Sequence, residues 1–525
     1  MAMQFDLLRN EELPPLAWLL FHERGKDRAR VLAGADVRLQ GASAFWEGIN
    51  PAFERPELTP LHHFPLCTGC ITRGEEIVAF TPGHIFDRLF LIRDGDRLLL
   101  SNSLPFVLRA AGTRLNPRDL LYAWRFGVIQ AHRQTAPLER GKLEFFHNTN
   151  IVIGRDHRIE LEAKPASPDF NNFAEYREGL DAYLREISDA LQGQTGARYE
   201  PVSTISSGYD SAAAAVLARS IGAKRALTIS DSRYGEAGDD SGAAIGERLG
   251  LEVTTRGRTD YRQHGIEAER LFYTCGLPED IIFHAFADDV RCTLLFTGHK
   301  GDTMWAKHGR PVGSWSLDPG GATMQCFRLR MNFVHFPPAF FGWARHKKVL
   351  EISQSEEMAP WSLGNSYDRP IPRRIVEEAG IPRDWFGMEK RAVSAMYGLD
   401  NRNYVAPEEL GVSREFADLL RQHRQRWRSI RVDLGIGAGN CVHSAMRLAN
   451  RALSKKKGSG GGGSPRATSL KTRLTMAMDH VGNIHRAFWL PFTDLTFAPQ
   501  VANELLAGDY PSPERILADN RATRV

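Results

Sequence analysis

One loop of this sequence combines the small and acidic residues that phosphate chemistry needs. It stands between a short β-rich run and an alanine-rich stretch, and its members are Ser206, Ser207, Gly208, Asp210 and Ser211. Small residues at such a junction let backbone N–H groups approach an anion, and a helix N-terminus adds a partial positive charge. Asp210 stands where a carboxylate could hold Mg²⁺ against phosphate. The loop therefore predicts a phosphate site, and it is not a Walker loop because no Gly-Lys-Ser/Thr follows.

A second glycine-rich loop follows a later β-rich run. It reads from Thr297 through Gly298, His299, Lys300, Gly301 and Asp302 to Thr303. A histidine side chain has an ordinary pKa near neutrality, so His299 could serve as the base for an attacking amine. The alternative interpretation of His299 is a histidine that is hydrogen-bonded to backbone.

The spacing of the first loop resembles the Ser-Gly-Gly-x-Asp-Ser loop of the PP-loop ATP pyrophosphatases. Together, the two loops resemble the synthetase domain of glutamine-dependent asparagine synthetase and its relatives, β-lactam synthetase and the lasso-peptide macrolactam cyclases. The resemblance implies that Asp302 joins Asp210 around Mg²⁺ and that His299 lines the acyl-adenylate site. It also implies that Gly298 and Lys300 contribute to the binding of ATP or pyrophosphate.

The resemblance assigns further nucleotide contacts and contains one departure. Ser206, Ser207 and Ser211 are expected to cradle phosphate oxygens, and Thr228 and Ser230 are expected to lie along the adenosine. The departure is Ser207, which stands where the family usually has its first glycine. We expect this position to need a backbone conformation that glycine reaches more easily than serine.

A third segment, residues 361–393, supports the same resemblance. It contains Asn-Ser-Tyr-Asp-Arg-Pro-Ile-Pro-Arg-Arg from Asn365 and Gly-Met-Glu-Lys-Arg-Ala from Gly387. In the family, such a segment brings a lysine back to the site, where it stabilises the negative charge that develops on phosphorus. Lys390 is the best match for this catalytic role and Arg391 is the second choice. The alternative interpretation is a solvated helix end.

These loops must be positioned by alternating strands and helices. Strands are predicted at residues 202–206, 225–230, 251–255 and 294–297, and helices at 175–191, 211–221 and 241–249. This alternation predicts an α/β fold with a parallel sheet and helices on both of its faces. Ligands of such sheets bind at the carboxyl ends of the strands, where both loops begin. After about residue 340 the pattern is mainly helical.

The front half of the chain, residues 1–168, is predicted to be a separate β-rich domain. It contains strands at 88–93 and 96–101, joined by an Asp-Gly-Asp turn, and a closing hairpin at 148–161. It resembles the N-terminal nucleophile glutaminase sandwich of asparagine synthetase. That enzyme needs a cysteine at the processed N-terminus, whereas the first cysteine here is Cys67, which lacks a free α-amino group as base. We therefore predict an inactive glutaminase-like domain.

A turn-rich linker at residues 166–172 separates this domain from the predicted synthetase domain, residues 173–525. Residues 458–464 read Gly-Ser-Gly-Gly-Gly-Gly-Ser, the composition of an engineered flexible linker, and no functional role is expected of them.

The overall composition is that of an ordinary globular protein. The chain has 525 residues, 42% of them hydrophobic and 25% charged, with 67 basic and 63 acidic side chains and a net charge of +4. This balance argues against general nucleic-acid binding. No apolar run reaches membrane-spanning length, a signal peptide is not evident, and six cysteines are too few for a disulfide framework. We therefore expect a cytoplasmic protein, and a homodimer is compatible with the sequence.

Two cysteines near two histidines raise the alternative of a zinc site. The group consists of His62, His63, Cys67 and Cys70, but its spacing is not that of a standard finger and no second Cys-x-x-Cys follows. The favoured interpretation is a pair of ordinary buried thiols.

A basic stretch and an aromatic group also have a structural and a functional interpretation. Residues 421–431 could bind an acidic partner, a peptide or RNA, but a solvated helix face with Trp427 packed inward is favoured. The aromatic group is predicted to be core, with a substrate-pocket wall as the alternative; its members are Phe333, Phe336, Phe340, Phe341 and Trp343.

The function predicted from these patterns is that of an ATP-dependent, AMP-forming carbon–nitrogen ligase. It would adenylate a small-molecule or peptide carboxylate and pass it to an amine that its own front domain does not supply, with ATP and Mg²⁺ as cofactors. A lasso-type macrolactam cyclase acting on a ribosomal peptide is the alternative within this class. A tRNA-modifying PP-loop enzyme would need catalytic thiols, for which Cys275 and Cys292 are the nearby candidates. A non-catalytic scaffold is the remaining alternative. Neither nucleic acid nor a membrane is an expected partner.

Overall fold

The structure is a computed structural model. It describes residues 2–54, 64–127, 129, 131–193, 198–231, 240–276, 278–308, 321–365, 367–389, 412–427 and 497–512. Within these residues the fold is mixed α/β, with two largely antiparallel sheets in the front half and one parallel sheet behind them. This confirms the predicted fold class. The division into two domains at residues 168 and 173 stays a prediction.

The front half is a sandwich of two sheets. Its strands are β1 (Gln4–Arg9), β2 (Trp18–Glu23), β3 (Arg28–Ala33), β4 (Val37–Gln40), β5 (Ala44–Glu47), β6 (Gly69–Arg73), β7 (Glu76–Phe80), β8 (Leu89–Asp94), β9 (Arg97–Ser101), β10 (Arg133–Pro137), β11 (Lys142–Phe146), β12 (Asn150–Ile153) and β13 (Ile159–Glu162). Short helices α1 (Pro51–Glu54), α2 (Leu104–Ala110) and α3 (Tyr122–Gly127) connect them.

Strand order and packing follow from the alternation of apolar residues along these strands. One sheet runs β1-β3-β2-β9-β8-β11-β10 and the other β13-β12-β7-β6-β5-β4. Every pair is antiparallel except β1 with β3. Phe5, Val31 and Leu91 of the first sheet share a buried cluster with Phe45 and Ile151 of the second. The predicted β8–β9 and β12–β13 hairpins are confirmed.

The parallel sheet contains the strands that precede both candidate loops. They are β14 (Glu200–Thr204), β15 (Arg225–Ile229), β16 (Glu252–Arg256), β17 (Thr293–Phe296) and β18 (Val334–Phe336), in the order β16-β15-β14-β17-β18. All neighbours are parallel. Strand order reverses between β14 and β17, and such a switch point opens a crevice for ligands at the carboxyl ends of the strands.

Helices cover both faces of this sheet. They are α4 (Phe173–Gln192), α5 (Tyr209–Ser220), α6 (Ala243–Arg248), α7 (Ile266–Phe272), α8 (Gly301–Met304), α9 (Gln325–Met331), α10 (His346–Gln354), α11 (Pro370–Glu378), α12 (Arg414–Arg426) and α13 (Ala498–Ala507). Shorter 3-10 turns occupy Asp260–His264, Ile281–Phe286, Pro338–Phe340, Trp343–Arg345, Glu356–Trp361 and Arg383–Trp385. Leu294 of β17 packs into the cluster that holds α4, α5 and α11, and Leu295 packs into the cluster on the other face. Among the described residues, no helix has the length and hydropathy that crossing a membrane requires.

A buried ion cluster joins the front half to the parallel-sheet half. Arg328 of α9 donates from Nη2 to Glu47 Oε1 at 2.7 Å, from Nη1 to Glu47 Oε2 at 3.0 Å and from Nε to Asp87 Oδ1 at 3.0 Å. The three residues are 1%, 0% and 2% exposed. Burial alone would lower the pKa of Arg328, but Asp87 and Glu47 raise it above its ordinary value. Phe64 and Phe86 also share one apolar core with Leu180 of α4, so packing between the halves is continuous.

Candidate functional site

Hydroxyl groups close the first loop around the start of α5. Gly208 is the N-cap of this helix, and its N–H donates to Ser206 Oγ at 3.1 Å. Ser206 Oγ lies 2.6 Å from Ser211 Oγ, one turn into the helix. These three predicted site residues are therefore brought together at the carboxyl end of β14. Helix α5 has 12 residues, so its N-terminus carries a substantial partial positive charge.

Ser207 fits the loop without strain, which corrects the expectation made from the family pattern. Among the described residues, the non-glycine residues with positive φ do not include Ser207. Its N–H donates to the backbone oxygen of Asp240 at 3.1 Å, and its hydroxyl donates to Asp240 Oδ1 at 2.6 Å. The serine side chain thus bonds the loop to the segment before α6, a bond that glycine could not make.

The second loop packs directly against the first. A Cβ atom on Gly298 would lie 2.5 Å from the backbone nitrogen of Ser211, and one on Gly301 would lie 2.4 Å from Asp210 Cγ. Both positions therefore need glycine, because a side chain would overlap the first loop. Between them, Lys300 has φ +62°, a left-handed conformation that non-glycine residues adopt at a cost. Asp302 lies exposed in the first turn of α8.

Arg369 is a cation that lies where the first and second loops pack together. Its Nη1 donates to Asp210 Oδ2, and its guanidinium lies 4.7 Å from the ring of Tyr367 and 5.8 Å from that of Tyr209. Burial would lower the pKa of Arg369, but the attraction of Asp210, Tyr367 and Asp302 raises it. One guanidinium thus faces both carboxylates that were predicted to bind metal.

Sequence reasoning missed Arg369, although it lies in the segment that supported the resemblance. The sequence pattern predicts Lys390 as the cation near the reacting phosphate, with Arg391 as the second choice. Both residues lie outside the described residues, and so does the linker at 458–464. The available signal was Arg369 directly before Pro370, which begins α11 and fixes where the arginine stands.

The two carboxylates fit Mg²⁺ only in company with other oxygen ligands. Asp210 and Asp302 supply the hard oxygen donors that Mg²⁺ prefers, and the ion commonly takes one or two carboxylates together with substrate phosphates. In the described part of the chain, no group of three or more His, Cys, Asp or Glu side chains could hold a metal ion by itself. The donor set therefore fits a magnesium ion whose remaining positions are taken by water in the absence of nucleotide and by phosphate oxygens when ATP binds.

His299 is bonded to protein through both ring nitrogens. Its Nε2 lies 3.0 Å from Asp280 Oδ1, and its Nδ1 lies 2.8 Å from Thr297 Oγ1. The other oxygen of Asp280 accepts from the N–H of Gly321 and the hydroxyl of Thr323, each at 2.8 Å. The prediction that His299 is a base requires a free ring nitrogen, and the structure provides one only if one of these bonds breaks. Asp280 was not predicted as a site residue.

The hydrogen-bond chain from His299 continues into the protein interior. Thr297 Oγ1 lies 2.7 Å from His335 Nε2, and burial lowers the pKa of His335 well below its ordinary value. Because the carboxylate oxygen of Asp280 accepts, the proton on His299 Nε2 faces Asp280, and the Thr297 hydroxyl lies between His299 Nδ1 and His335 Nε2. Phe86 of the front half stacks on His335 with ring centres 5.2 Å apart. The front half therefore contacts the residues that hold the second loop.

The residues predicted along the adenosine lie at the end of β15. Thr228 is buried, and its Oγ1 accepts from the N–H of Gly242 at 2.9 Å, which fixes the start of α6. The hydroxyl of Ser230 donates to the backbone oxygen of Arg256 at 3.4 Å. Their contact with adenosine stays a prediction.

The cysteines of the described chain are mostly buried. Cys67 and Cys70 lie in two different apolar clusters, and burial raises the pKa of both thiols well above the ordinary value. This confirms the favoured interpretation of buried thiols; His62 and His63 lie outside the described residues. Cys275 is also buried with a raised pKa, whereas Cys292 is partly buried.

Four members of the aromatic group are confirmed as core, Trp343 is partly buried against that core, and Trp427 differs from its prediction. Phe333, Phe336, Phe340 and Phe341 are buried. Trp427 is only half-buried, with the guanidinium of Arg114 4.7 Å from its ring. Trp427 lies at the end of α12 beside the front half, and there the guanidinium of Arg114 covers its ring.

Comparison with known proteins shows similarity only to solved structures. No protein-family model and no curated protein matches the sequence. The structure of a glutamine-dependent NAD⁺ synthetase from Acinetobacter baumannii in complex with ADP is 16% identical, with a TM-score of 0.23, and the match covers 63% of this chain and 52% of that chain. A predicted subunit of a tRNA methyltransferase from Methanocaldococcus jannaschii is 18% identical, with a TM-score of 0.18, covering 39% and 100% of the two chains. This chain thus spans about half the length of the synthetase, and its activity must be argued from the site.

Proposed function

We propose that this protein is an ATP-dependent ligase that activates a carboxylate as an acyl-adenylate and transfers it to an amine. The observation that carries the proposal is the packing of two glycine-containing loops at the switch point of the sheet. There Gly301 lies against the carboxylate of Asp210, and one guanidinium faces both Asp210 and Asp302. A hydroxyl-lined helix N-terminus beside paired carboxylates suits a magnesium-bound polyphosphate.

The first loop would bind the phosphates. The hydroxyls of Ser206 and Ser211 lie within 2.6 Å of each other at the start of α5, and both can turn toward an incoming anion. Backbone N–H groups of the first turn of α5 add further donors. Ser207, with its hydroxyl on Asp240, would instead keep the loop in shape.

Asp210 and Asp302 are the residues that would hold Mg²⁺, which, when bound, neutralises charge on the phosphates of ATP. Lys390 is retained as the predicted cation for the reacting phosphate. Thr228 and Ser230 are retained as the predicted lining of the adenosine pocket, because they stand at the end of the strand next to β14.

The reaction follows from this arrangement. An oxygen of the substrate carboxylate attacks the α-phosphorus of ATP, a C–O–P linkage forms, and the bond between the α-phosphorus and its bridging oxygen breaks to release pyrophosphate. The amine nitrogen then attacks the acyl carbon, AMP leaves with the carboxylate oxygen, and the amine loses a proton. Charge that develops on phosphorus is stabilised by donors that are already in position.

His299 is proposed to position the second loop rather than to serve as a base. Its two ring nitrogens are held by Asp280 and Thr297, so the imidazole links the loop to the segment at Gly321. The proton of the amine would then be transferred to solvent or to a phosphate oxygen of AMP or pyrophosphate.

The amine is proposed to come from outside this chain. Burial raises the pKa of Cys67 well above its ordinary value, so this thiol would not form the thiolate that a glutaminase needs. Free ammonia or an amine on a second substrate would take its place. Of the two thiols considered for chemistry on RNA, Cys275 is disfavoured for the same reason, because it is also buried with a raised pKa.

The test is the release of pyrophosphate from ATP in the presence of a panel of small carboxylates and peptides. We expect Asp210→Ala to lower the rate by about 100-fold or more, because a ligand of the metal–nucleotide complex is lost. Asp181→Ala is the matched control, since Asp181 pairs with Arg177 on the surface of α4. Equal rates for wild type and Asp210→Ala would exclude the proposal. Pyrophosphate release that is stimulated by peptides but not by small carboxylates would favour the macrolactam cyclase alternative.

A further inference from the structure

We propose that Arg369 occupies the cation position at Asp210 in the nucleotide-free protein and moves to the phosphates when magnesium and ATP bind. This inference rests on the proposed function, because it assigns a further residue to the same site. It makes Arg369 a direct ligand of the triphosphate.

The contacts of Arg369 suit a residue that exchanges partners. In the described part of the chain, its only side-chain hydrogen bond goes to Asp210 Oδ2. Its remaining contacts are with the rings of Tyr367 and Tyr209, whose faces attract a cation without fixing its direction. The guanidinium could therefore turn without breaking a network.

Arg373, one turn along α11, provides the contrast. It is fully buried and donates to Tyr209 Oη at 3.0 Å, to the backbone oxygen of Arg383 at 3.1 Å and to Glu377 Oε1 at 3.1 Å. It also reaches the backbone oxygens of Phe386 and Gly387, each at 3.3 Å. A guanidinium with this many fixed acceptors has a structural role, whereas Arg369 has none of these backbone partners.

Charge explains why the exchange would occur. The carboxylates of Asp210 and Asp302 both attract the Arg369 guanidinium, and their negative charge opposes the approach of a triphosphate. A magnesium ion bound to the same carboxylates would compete with Arg369 for the oxygens of Asp210 and would repel the guanidinium. Phosphate oxygens are then the better partner, since guanidinium groups bind them in a bidentate manner.

The inference predicts opposite effects on the metal and on the nucleotide. In Arg369→Met, Asp210 loses its resident cation, so Mg²⁺ alone should bind about tenfold more tightly than to wild type. ATP in the presence of Mg²⁺ should bind about tenfold or more weakly, because a phosphate ligand is lost. Arg369→Lys should give intermediate values for both, since the charge stays but the fork geometry is lost.

Titration calorimetry with Mg²⁺ alone, and then with ATP at saturating Mg²⁺, measures both effects in the full-length protein. Arg374→Met is the matched control, because Arg374 lies on the same helix but bonds to Glu357 and Glu378; it should leave both affinities unchanged. Circular dichroism checks that the variants are folded. If Arg369→Met does not fold, the test relies on Arg369→Lys.

Unchanged or weaker Mg²⁺ binding by the Arg369 variants would overturn the inference, and so would unchanged ATP binding. If wild type binds magnesium and ATP as described but releases no pyrophosphate, the proposed reaction fails while the role of Arg369 at the nucleotide stands. The two failures are therefore distinguishable.

Discussion

Arg328 and Arg369 each face a pair of carboxylates, and the surroundings of the two arginines differ. Arg328 makes three hydrogen bonds to Glu47 and Asp87, and all three residues are at most 2% exposed. Arg369 makes one hydrogen bond to Asp210, whose side chain is 15% exposed, and it faces Asp302, which is exposed to solvent. The first cluster joins the two halves of the protein, and the second lies at the carboxyl ends of the strands.

The difference shows how one set of groups can serve structure or function. Where every donor is bonded and water is excluded, removal of one partner leaves uncompensated charge, so the cluster is fixed. Where one carboxylate stays in water and the guanidinium rests on aromatic rings, the partners can be exchanged. The number of hydrogen bonds to the guanidinium and the exclusion of water, rather than the identity of the residues, separate the two cases.

The largest effect on stability is expected for Arg328→Met. It leaves Glu47 and Asp87 buried without a cation, so the free energy of unfolding should fall by about 3–5 kcal/mol. Arg369→Met should lower it by only about 1 kcal/mol, because Asp302 stays hydrated. Urea denaturation measures both values. Equal losses for the two variants would remove the distinction, whereas recovery in the triple variant Arg328→Met, Glu47→Gln, Asp87→Asn would attribute the loss to the uncompensated charges.

A smaller effect, on activity, is expected for Asp280→Asn. The amide cannot accept from His299, Gly321 and Thr323 as the carboxylate does, so the second loop should loosen and turnover should fall roughly 10- to 100-fold. Nitrogen NMR of labelled histidine should find the wild-type His299 proton on Nε2 and a mixture of tautomers in the variant. Full activity together with an unchanged tautomer would show that Asp280 does not position His299.

An acid-sensitive step is expected at the buried junction between the halves. Burial, followed by the charge of Arg328, lowers the pKa of His84 to about 3. Because an unfolded histidine titrates near 6.5, the folded protein binds fewer protons between these values. The contribution of His84 is thus complete above pH 6.5 and is lost as the pH falls toward 3. In His84→Gln, the free energy of unfolding should fall less steeply as the pH is lowered. The slopes of wild type and variant should differ by up to about 1.4 kcal/mol per pH unit, which corresponds to one proton. Parallel curves for the two proteins would refute this assignment.

The smallest effect is expected at Ser207. Removal of its hydroxyl bond to Asp240 in Ser207→Ala should lower the free energy of unfolding by roughly 1 kcal/mol, with turnover changed less than about threefold. Ser207→Gly should lose more stability than Ser207→Ala, because the φ of Ser207 is not positive and glycine adds only chain entropy to the unfolded state. Higher stability of the glycine variant would mean that the family's residue suits this loop better.

The elements of the parallel sheet were predictable because their patterns are local. β14, β15, β16 and β17 each start or end within about two residues of the predicted strands, since an apolar run ends in a small or polar residue. β18 was missed, because Val334–Phe336 has only three residues and its histidine interrupts the apolar run.

The contacts within the site could be predicted only in part. The first and second loops were identified from glycine, serine and aspartate at strand ends, and the two loops do lie together. The partner of Asp210 is 159 residues away, and the bond between Ser207 and Asp240 spans 33 residues. Such pairings depend on how the chain folds back, which neither composition nor spacing reveals.

The most direct test of the proposed adenylation follows the oxygen of the substrate. A carboxylate that stimulates pyrophosphate release is labelled with heavy oxygen, the reaction is run to the amide, and the AMP is analysed by mass spectrometry. Adenylation predicts that one labelled oxygen is transferred to AMP, because the carboxylate oxygen attacks the α-phosphorus. Unlabelled AMP, or ADP as the nucleotide product, would contradict an acyl-adenylate at the meeting of the two loops.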